Sequence, residues 1–494
     1  MRADGMKFNR RETLTVLVPA ICASVLARPR SVLAATEFVT PEQFGALGDG
    51  RTNDTAAFVA MTAHVNAMGG GEIRLSHRTY VVGQQGKIAK KGYFAAPGPI
   101  MDFIACRLPL TIRGNHARLV ADSALRFGTF DPATGMPTTH KQPYTGLGEI
   151  AAPYNQMILV KDCSGPVTIS DLELDGNSAR LVIGGPWGNT GWQLGGSGLI
   201  LRDNHGPIAV RNLRSHHQPK DGAVGDGLGL PEVDERVSFT DCVFTDNGRN
   251  GFSLVGGNGW GFTRCRFDRS ARNLAFRGSA PRAGIDLESE RKRPIQAIRF
   301  RDCGASDNLQ VAVLIATKRV SDVVWIGGKI VGTSAWTYFG SGGDRVRFRD
   351  VLFAGALVNL SGETFENCTF TDDPSAGVSG KLYNPSGRFL ANLGKANRFI
   401  ACTFIHARPE ASRNGRVDDG LFENCTFITK RGAGPLVIAG HFRGSRTRFV
   451  TEAGGSDFPL LPTGTGKGKT LGAAEQSYQV TDSRGRTRTY PPSH

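Results

Sequence analysis

Along the second half of the chain, apolar and polar residues alternate in one short phrase that keeps returning in the same register. It reads Phe239-Thr-Asp-Cys242-Val-Phe244, Phe262-Thr-Arg-Cys265-Arg-Phe267 and Phe300-Arg-Asp-Cys303. It returns as Phe348-Arg-Asp-Val351-Leu-Phe353, Phe365-Glu-Asn-Cys368-Thr-Phe370, Phe399-Ile-Ala-Cys402-Thr-Phe404 and Phe422-Glu-Asn-Cys425-Thr-Phe427. Cys242 to Cys265 and Cys402 to Cys425 are steps of 23 residues, and Trp325-Ile-Gly-Gly328-Lys-Ile330 fills the interval between Cys303 and Val351. Weaker copies stand at Ile169-Ser-Asp-Leu172-Glu-Leu174 and Val210-Arg-Asn-Leu213. A fixed period of this size marks a repeat architecture. The period of two within each copy is that of a strand, not of a helix. Short strands with Gly, Asn and Asp at the joints predict an all-β solenoid, a right-handed parallel β-helix. Each coil buries its face against its neighbours, so 494 residues fit one domain of about a dozen coils.

The N-terminal part departs from this pattern twice. Lys7, Arg10 and Arg11 precede an uncharged stretch from Thr13 to Ala27, and Val32-Leu33-Ala34 has small-residue cleavage spacing. Residues 1–35 therefore read as an export signal, and Asn9-Arg10-Arg11-Glu12-Thr13-Leu14 resembles a twin-arginine signal. A general secretory signal is the alternative. The apolar run is too short for a membrane span and contains Pro19. The expected location is the periplasm or the exterior. Further on, Asp54 or Asn53 can cap a helix carrying Phe58, Met61, Val65 and Met68 on one face, ended by Gly69-Gly70-Gly71. Such a helix can seal the first coil. Residues 36–455 form the expected β-helix domain. Residues 122–156 lack the coil pattern and read as a long loop, and 456–494 as a polar tail that adds strands or stays mobile.

The stretch Phe44-Gly45-Ala46-Leu47-Gly48-Asp49-Gly50-Arg51-Thr52-Asn53-Asp54-Thr55, followed by the helix, the three glycines and Tyr80-Val81-Val82, resembles the opening segment of the pectate-lyase-like β-helix superfamily. With the coils the resemblance covers residues 37 to 450. It implies the fold and a polysaccharide substrate. It does not imply a reaction, because the motif forms the cap, where Asp49 and Asp54 are turn residues.

Composition sharpens the choice of partner. The formal charge is +15, and removing the six basic and two acidic residues of 1–35 lowers it by four, to +11. A basic surface outside the cytoplasm points to an anionic polysaccharide; export argues against nucleic acid. Solubilising arginines spread over the outer faces are the plainer reading. Of nine cysteines, six occupy the repeated slot, where Cys packs as a small apolar residue. Their parallel Cβ vectors do not suit a disulfide, so free thiols are expected. Cys106 and Cys163 lie outside the series.

Chemistry belongs on an outward face where coils align. Gly225-Asp226-Gly227-Leu228-Gly229-Leu230, Arg249-Asn250-Gly251-Phe252-Ser253-Leu254 and Arg282-Ala283-Gly284-Ile285-Asp286-Leu287-Glu288 share the form x-Gly-apolar-x-apolar and read as neighbouring rungs. Ile285 and Leu287 point inward, which sends Asp286 and Glu288 out on one face, about 6.6 Å apart along the strand. That is close to the carboxylate spacing of inverting glycosidases, and crowding should split their pKa values into acid and base. Asp226, Asp286 and Glu288 are thus the candidate catalytic groups, with Arg249 and Asn250 between them. The plainer readings are a turn aspartate and solvated surface carboxylates. Trp187 and Trp192, in a Gly-rich loop, either stack on sugar rings or pin the loop. His216, His217, Lys220 and Asp221 form a candidate groove wall. The polygalacturonase pattern within the resembled superfamily is not matched. Asp226 would fill its first Asp position, Asn250 and Ala283 stand where it has Asp and His, and no Arg-Ile-Lys follows. No metal-ligand spacing appears, and no cofactor is expected except calcium if the enzyme is a lyase. The reading is a glycoside hydrolase in preference to a lyase or epimerase, with a non-catalytic polysaccharide-binding or envelope protein as the alternative.

Overall fold

The computed structural model describes residues 38–494, less 88–93, 96–97, 132, 139–150, 153–155, 187–191, 193, 228–234, 273–275, 277, 341, 384–389, 392–395, 414–419, 439, 459–471, 475 and 492–494. The expected export signal and Trp187 lie outside these residues. The chain is a right-handed parallel β-helix, with strand upon strand paired in parallel from Phe38 to Thr481. Two antiparallel strand pairings, at Gly128–Thr129 with Ala151–Ala152 and at Gly86–Lys87 with Phe94–Ala95, branch from loops. The first lies within the stretch read as a plain loop. No helix among the described residues is long and apolar enough to cross a membrane.

The repeated phrase is two strands and a corner, not one strand. Val237–Thr240 and Val243–Thr245 flank Asp241, whose φ is +56°. The residue before the Cys or Val slot takes the left-handed conformation at Arg264, Asp302, Asp350, Asn367, Ala401 and Asn424 as well, with φ from +51° to +56°. Asp and Asn recur there because they tolerate this region better than other side chains. The flanking Phe residues then face inward on both sides of the corner and stack coil on coil. Phe348, Phe365, Phe399 and Phe422 make one ladder at 5.2, 5.0 and 4.8 Å. Phe353, Phe370, Phe404 and Phe427 make a second at 5.1, 4.7 and 5.1 Å. Trp325 occupies the Phe slot, level with Phe300 and Phe348. The six slot cysteines are buried and free, as are Cys106 and Cys163.

The ends are closed differently. Helix α1 (Thr55–Met68) buries Phe58, Met61 and Val65 in the core, while Met68 stays exposed. Asp54 precedes it but does not cap it. Its carboxylate instead accepts the backbone N–H groups of Leu47 and Gly48, and Asn53 Oδ1 accepts that of Thr55. Gly69 ends the helix at φ +75°, which Gly adopts without strain. At the other end the tail adds Gly472–Ala474 and Tyr478–Thr481 to the last coils, and Thr487–Tyr490 turns back antiparallel on the latter.

Candidate functional site

A ten-stranded parallel sheet from Met101–Ile104 to Leu390–Ala391 carries the candidate rungs. Two of them align as the sequence implies: Phe252, Ser253 and Leu254 pair with Ile285, Asp286 and Leu287. The third is shifted. Ala223, Val224 and Gly225 pair with Phe252, Ser253 and Leu254, so the aspartate ahead of the aligned glycine is Asp221, not Asp226. Two Asp-Gly pairs five residues apart compete for that register, and the strand takes the first, with Ala223 buried in the core. Asp226 falls at the strand's far end. Arg293 Nη1 reaches it at 2.6 Å and Arg202 at 3.6 Å. Val224 shares the outward row with Ser253 and Asp286, and Asp226 lies two residues further along that strand, held there by the two arginines.

Asp286 does point away from the barrel core, with Ile285 and Leu287 inward. The expectation that it is exposed fails, since only 1% of its surface is accessible. Neighbouring polar side chains lie over it. Asn250 Nδ2 donates to Asp286 Oδ2 at 3.0 Å, and Arg249 Nη2 stands 3.5 Å from the same oxygen. Asp286 Oδ1 and Arg249 Nε have no hydrogen-bond partner among the described residues. Burial drives the Asp286 carboxyl up to about 7; Arg249 opposes this, and the negative charges of Glu288 and Asp221 add to it. Glu288 is partly exposed, as expected of the outer face.

Asp221 and Asn250 form a ladder in which each side-chain oxygen accepts the backbone N–H of the next rung, Asn250 at 3.1 Å and Ala283 at 2.8 Å. Ser253 Oγ donates to Asp221 at 3.3 Å and accepts from Asn250 at 2.9 Å. Asp221 therefore has a structural task, as has Asn250, and both hold the floor beneath Asp286. Lys220 is partly buried beside Asp221 and Arg249, and burial holds its ammonium below the usual lysine range. Ser253 and the shifted role of Asp221 were missed from sequence; the Gly222–Gly251–Gly284 alignment was the available signal.

The remaining candidates divide, Trp192 bordering this cluster through its bridge to Gly278, which packs on Arg249, and the two histidines lying apart from it. Trp192 Nε1 donates to Gly184 O at 3.1 Å and its ring lies 5.9 Å from that of buried Phe276, contacts that hold its loop in place. His216 and His217 sit at the end of a different sheet face. There they meet Asp175 and Glu173 from the preceding coil. His216 Nε2 lies 2.9 Å from Glu173 Oε1, and the two Nδ1 atoms lie 2.6 Å apart. Arg118 donates to Asp175 Oδ2. Asp175 and Glu173 had gone unnoticed, although extending the weak phrases at Leu174 and Leu213 by a few residues aligns Asp175 with His216.

Comparison with known proteins yields likeness of fold only. No family model matches the chain, and no curated protein does. Among solved structures, the mannuronan C-5 epimerase AlgE6 A-module of Azotobacter vinelandii shares 16% identity over 89% of this chain and 95% of that one, at a TM-score of 0.39. The tailspike protein gp49 of Pseudomonas phage LKA1 shares 11% identity over 88% and 83%, at 0.37. PfbA, a surface adhesin of Streptococcus pneumoniae, shares 9% over 92% and 94%, at 0.36. At these scores neither an epimerase's reaction nor an adhesin's binding transfers to this chain.

Proposed function

We propose that this chain is an exported carbohydrate-active enzyme that cleaves glycosidic bonds of an acidic polysaccharide on the face carrying Asp286. One observation carries the reading: a buried carboxyl held up to about 7, with one oxygen left without a partner beside a buried arginine. A carboxyl that is neutral near pH 7 can donate a proton to a leaving glycosidic oxygen. Glu288, two residues along the same face, is the group to activate water, and Arg249 and Lys220 offer positive charge to an anionic sugar. This hydrolytic division of labour needs no cofactor. The structural reading of the cluster, a stacked polar ladder, accounts for Asp221 and Asn250 but not for the free Asp286 oxygen. Buried polar atoms normally find partners.

A second reading has a specific observation behind it. Lys220 is held below the usual lysine range beside Arg249, and such a lysine can act as base in β-elimination. Calcium bound by carboxylates would be the expected cofactor of that chemistry.

The experiment is to incubate the purified chain with a panel of acidic polysaccharides, following new reducing ends and the absorbance of unsaturated uronates. New reducing ends without that absorbance support hydrolysis; both together support elimination. Binding without product, in wild type and Asp286→Asn alike, overturns the enzymatic reading in favour of a binding protein. Export is tested separately: Arg10-Arg11→Lys-Lys should block it if the twin-arginine route is used, because its receptor reads that pair.

A further inference from the structure

The polar cluster at the end of the neighbouring sheet face takes no part in the reading above. Its three closest atoms are His216 Nδ1, His217 Nδ1 and Asp175 Oδ1, separated by 2.6, 3.7 and 3.6 Å. A triangle with those sides has one point about 2.0 Å from all three corners, which is the Zn–N and Zn–O bond length. The surrounding bonds prepare the atoms for such a role. Glu173 Oε1 faces His216 Nε2 at 2.9 Å, which places the ring proton on Nε2 and leaves the Nδ1 lone pair turned to the centre. A carboxylate on the far nitrogen is the usual outer partner of a metal-bound histidine. Arg118 takes Asp175 Oδ2, and the Asn177 backbone N–H donates to Oδ1 at 2.9 Å, so the aspartate is fixed in place.

The 2.6 Å approach of two imidazole nitrogens needs a hydrogen or a metal ion between them. Two lone pairs facing each other at that distance repel, so either a proton or a metal cation must sit there. We propose that Asp175, His216 and His217 bind a divalent transition-metal ion of the zinc class, with a solvent-facing fourth position. Two imidazoles and one carboxylate are the donor set of that class, and calcium or magnesium would prefer oxygen throughout. His216 and Asp175 are buried, while the His217 side chain is 43% exposed, which leaves the open side toward solvent. Full tetrahedral geometry asks the two nitrogens to part to about 3.3 Å. Rotation of the exposed His217 ring supplies that. Binding releases the proton shared between the rings.

The surroundings give the open position a use. On one side of the cluster lies a groove of about 420 Å³ lined by Arg51, Arg118 and Arg180. On the other lies one of about 550 Å³ where Arg266 and Arg269 are paired with Asp268, Asp246 and Asp307, leaving Arg214. Arg118 lines the first groove and also holds Asp175. An anionic oxygen entering from the first groove, where three arginines face one aspartate, would meet the ion's free coordination site.

Equilibrium dialysis of the full chain against Zn²⁺, with elemental analysis, tests the proposal. Wild type and Asp286→Asn should each retain one zinc per chain. His217→Ala, at a half-exposed position that the core does not need, should lose it, and Glu173→Gln should weaken affinity about 10- to 100-fold. Co²⁺ in place of zinc should give the intense visible bands of a four- or five-coordinate ion with nitrogen ligands. Equal zinc content in wild type and His217→Ala, or only the weak spectrum of hydrated Co²⁺, would overturn it and leave a shared proton between the rings.

Discussion

Two buried carboxyls in this solenoid, Asp286 and Glu363, are both driven up to about 7, and their surroundings differ sharply. Glu363, like Asp286, is raised chiefly by burial. Its two oxygens are nevertheless both engaged: Tyr338 Oη donates to Oε1 at 3.1 Å, and the Ser361 backbone N–H donates to Oε2. No cation faces it among the described residues. Asp286 has an unpartnered oxygen and a buried Arg249, whose charge also feels Asp221, Glu288 and Glu290. A perturbed pKa alone does not mark a functional site. Unused bonding capacity next to an opposite charge does the discriminating.

The sharpest way to break this contrast is kinetic. On a substrate the wild type cleaves, Asp286→Asn should lower turnover by at least about 100-fold, the usual size of a general acid–base contribution. Glu363→Ala should leave it within about twofold. Comparable losses in both would mean that activity follows local stability and that the Asp286 assignment fails.

Stability should rank the two the other way. Glu363→Ala strands a buried tyrosine hydroxyl and a backbone N–H, at about 1–3 kcal/mol for each group left unsatisfied. Asp286→Asn keeps the shape and a hydrogen-bonding group beside Asn250, and should cost less in urea unfolding. It should not be neutral above pH 7, as it would be for the exposed residue expected from sequence, because there the ionised carboxylate is a partner that Arg249 loses.

A pH series refines the comparison. Both carboxyls have folded pKa values above the unfolded value of about 4. Folding therefore favours their neutral forms. That contribution is fully present below pH 4 and is lost as pH rises through about 7. Glu363→Gln cannot ionise and should flatten the decline in stability between pH 4 and 7. If Asp286 is the acid, kcat should fall above pH 7 in wild type and in Glu363→Gln alike. A profile that moves with Glu363 would assign the proton to the wrong carboxyl.

The smallest effect expected is in thiol labelling. The six slot cysteines lie between the Phe ladders and should react only after denaturation. Native-state labelling of Cys402 or Cys425 would show that the coils open locally, and would weaken every burial argument made for Asp286.

Much of this was legible in the sequence. The Phe-x-x-Cys spacing set the coil, because only a fixed inward register makes Phe recur on both sides of one slot; the corner inside it went unread, since Asp or Asn there also fits a plain outward strand position. The rungs at Gly251 and Gly284 were readable for the same reason. The rung at Gly222 was not, because Ala223-Val224-Gly225 alternates weakly and a second Asp-Gly follows it. Burial of Asp286 was out of reach, since what lies over an outward residue is set by side chains such as Arg249, more than thirty residues away. The meeting of Asp175 with His216, 41 positions apart, depends likewise on which coils are neighbours.

The Phe ladders carry a consequence for descent. The steps from Phe348 to Phe365, Phe399 and Phe422 take 17, 34 and 23 residues, yet the rings stay between 4.8 and 5.2 Å apart. Whatever length a coil gains leaves through its loops. A lineage can thus insert or trim residues around the outer faces, generation after generation, and so change what reaches Asp286 or the two histidines while the inherited stack beneath them stays as it was.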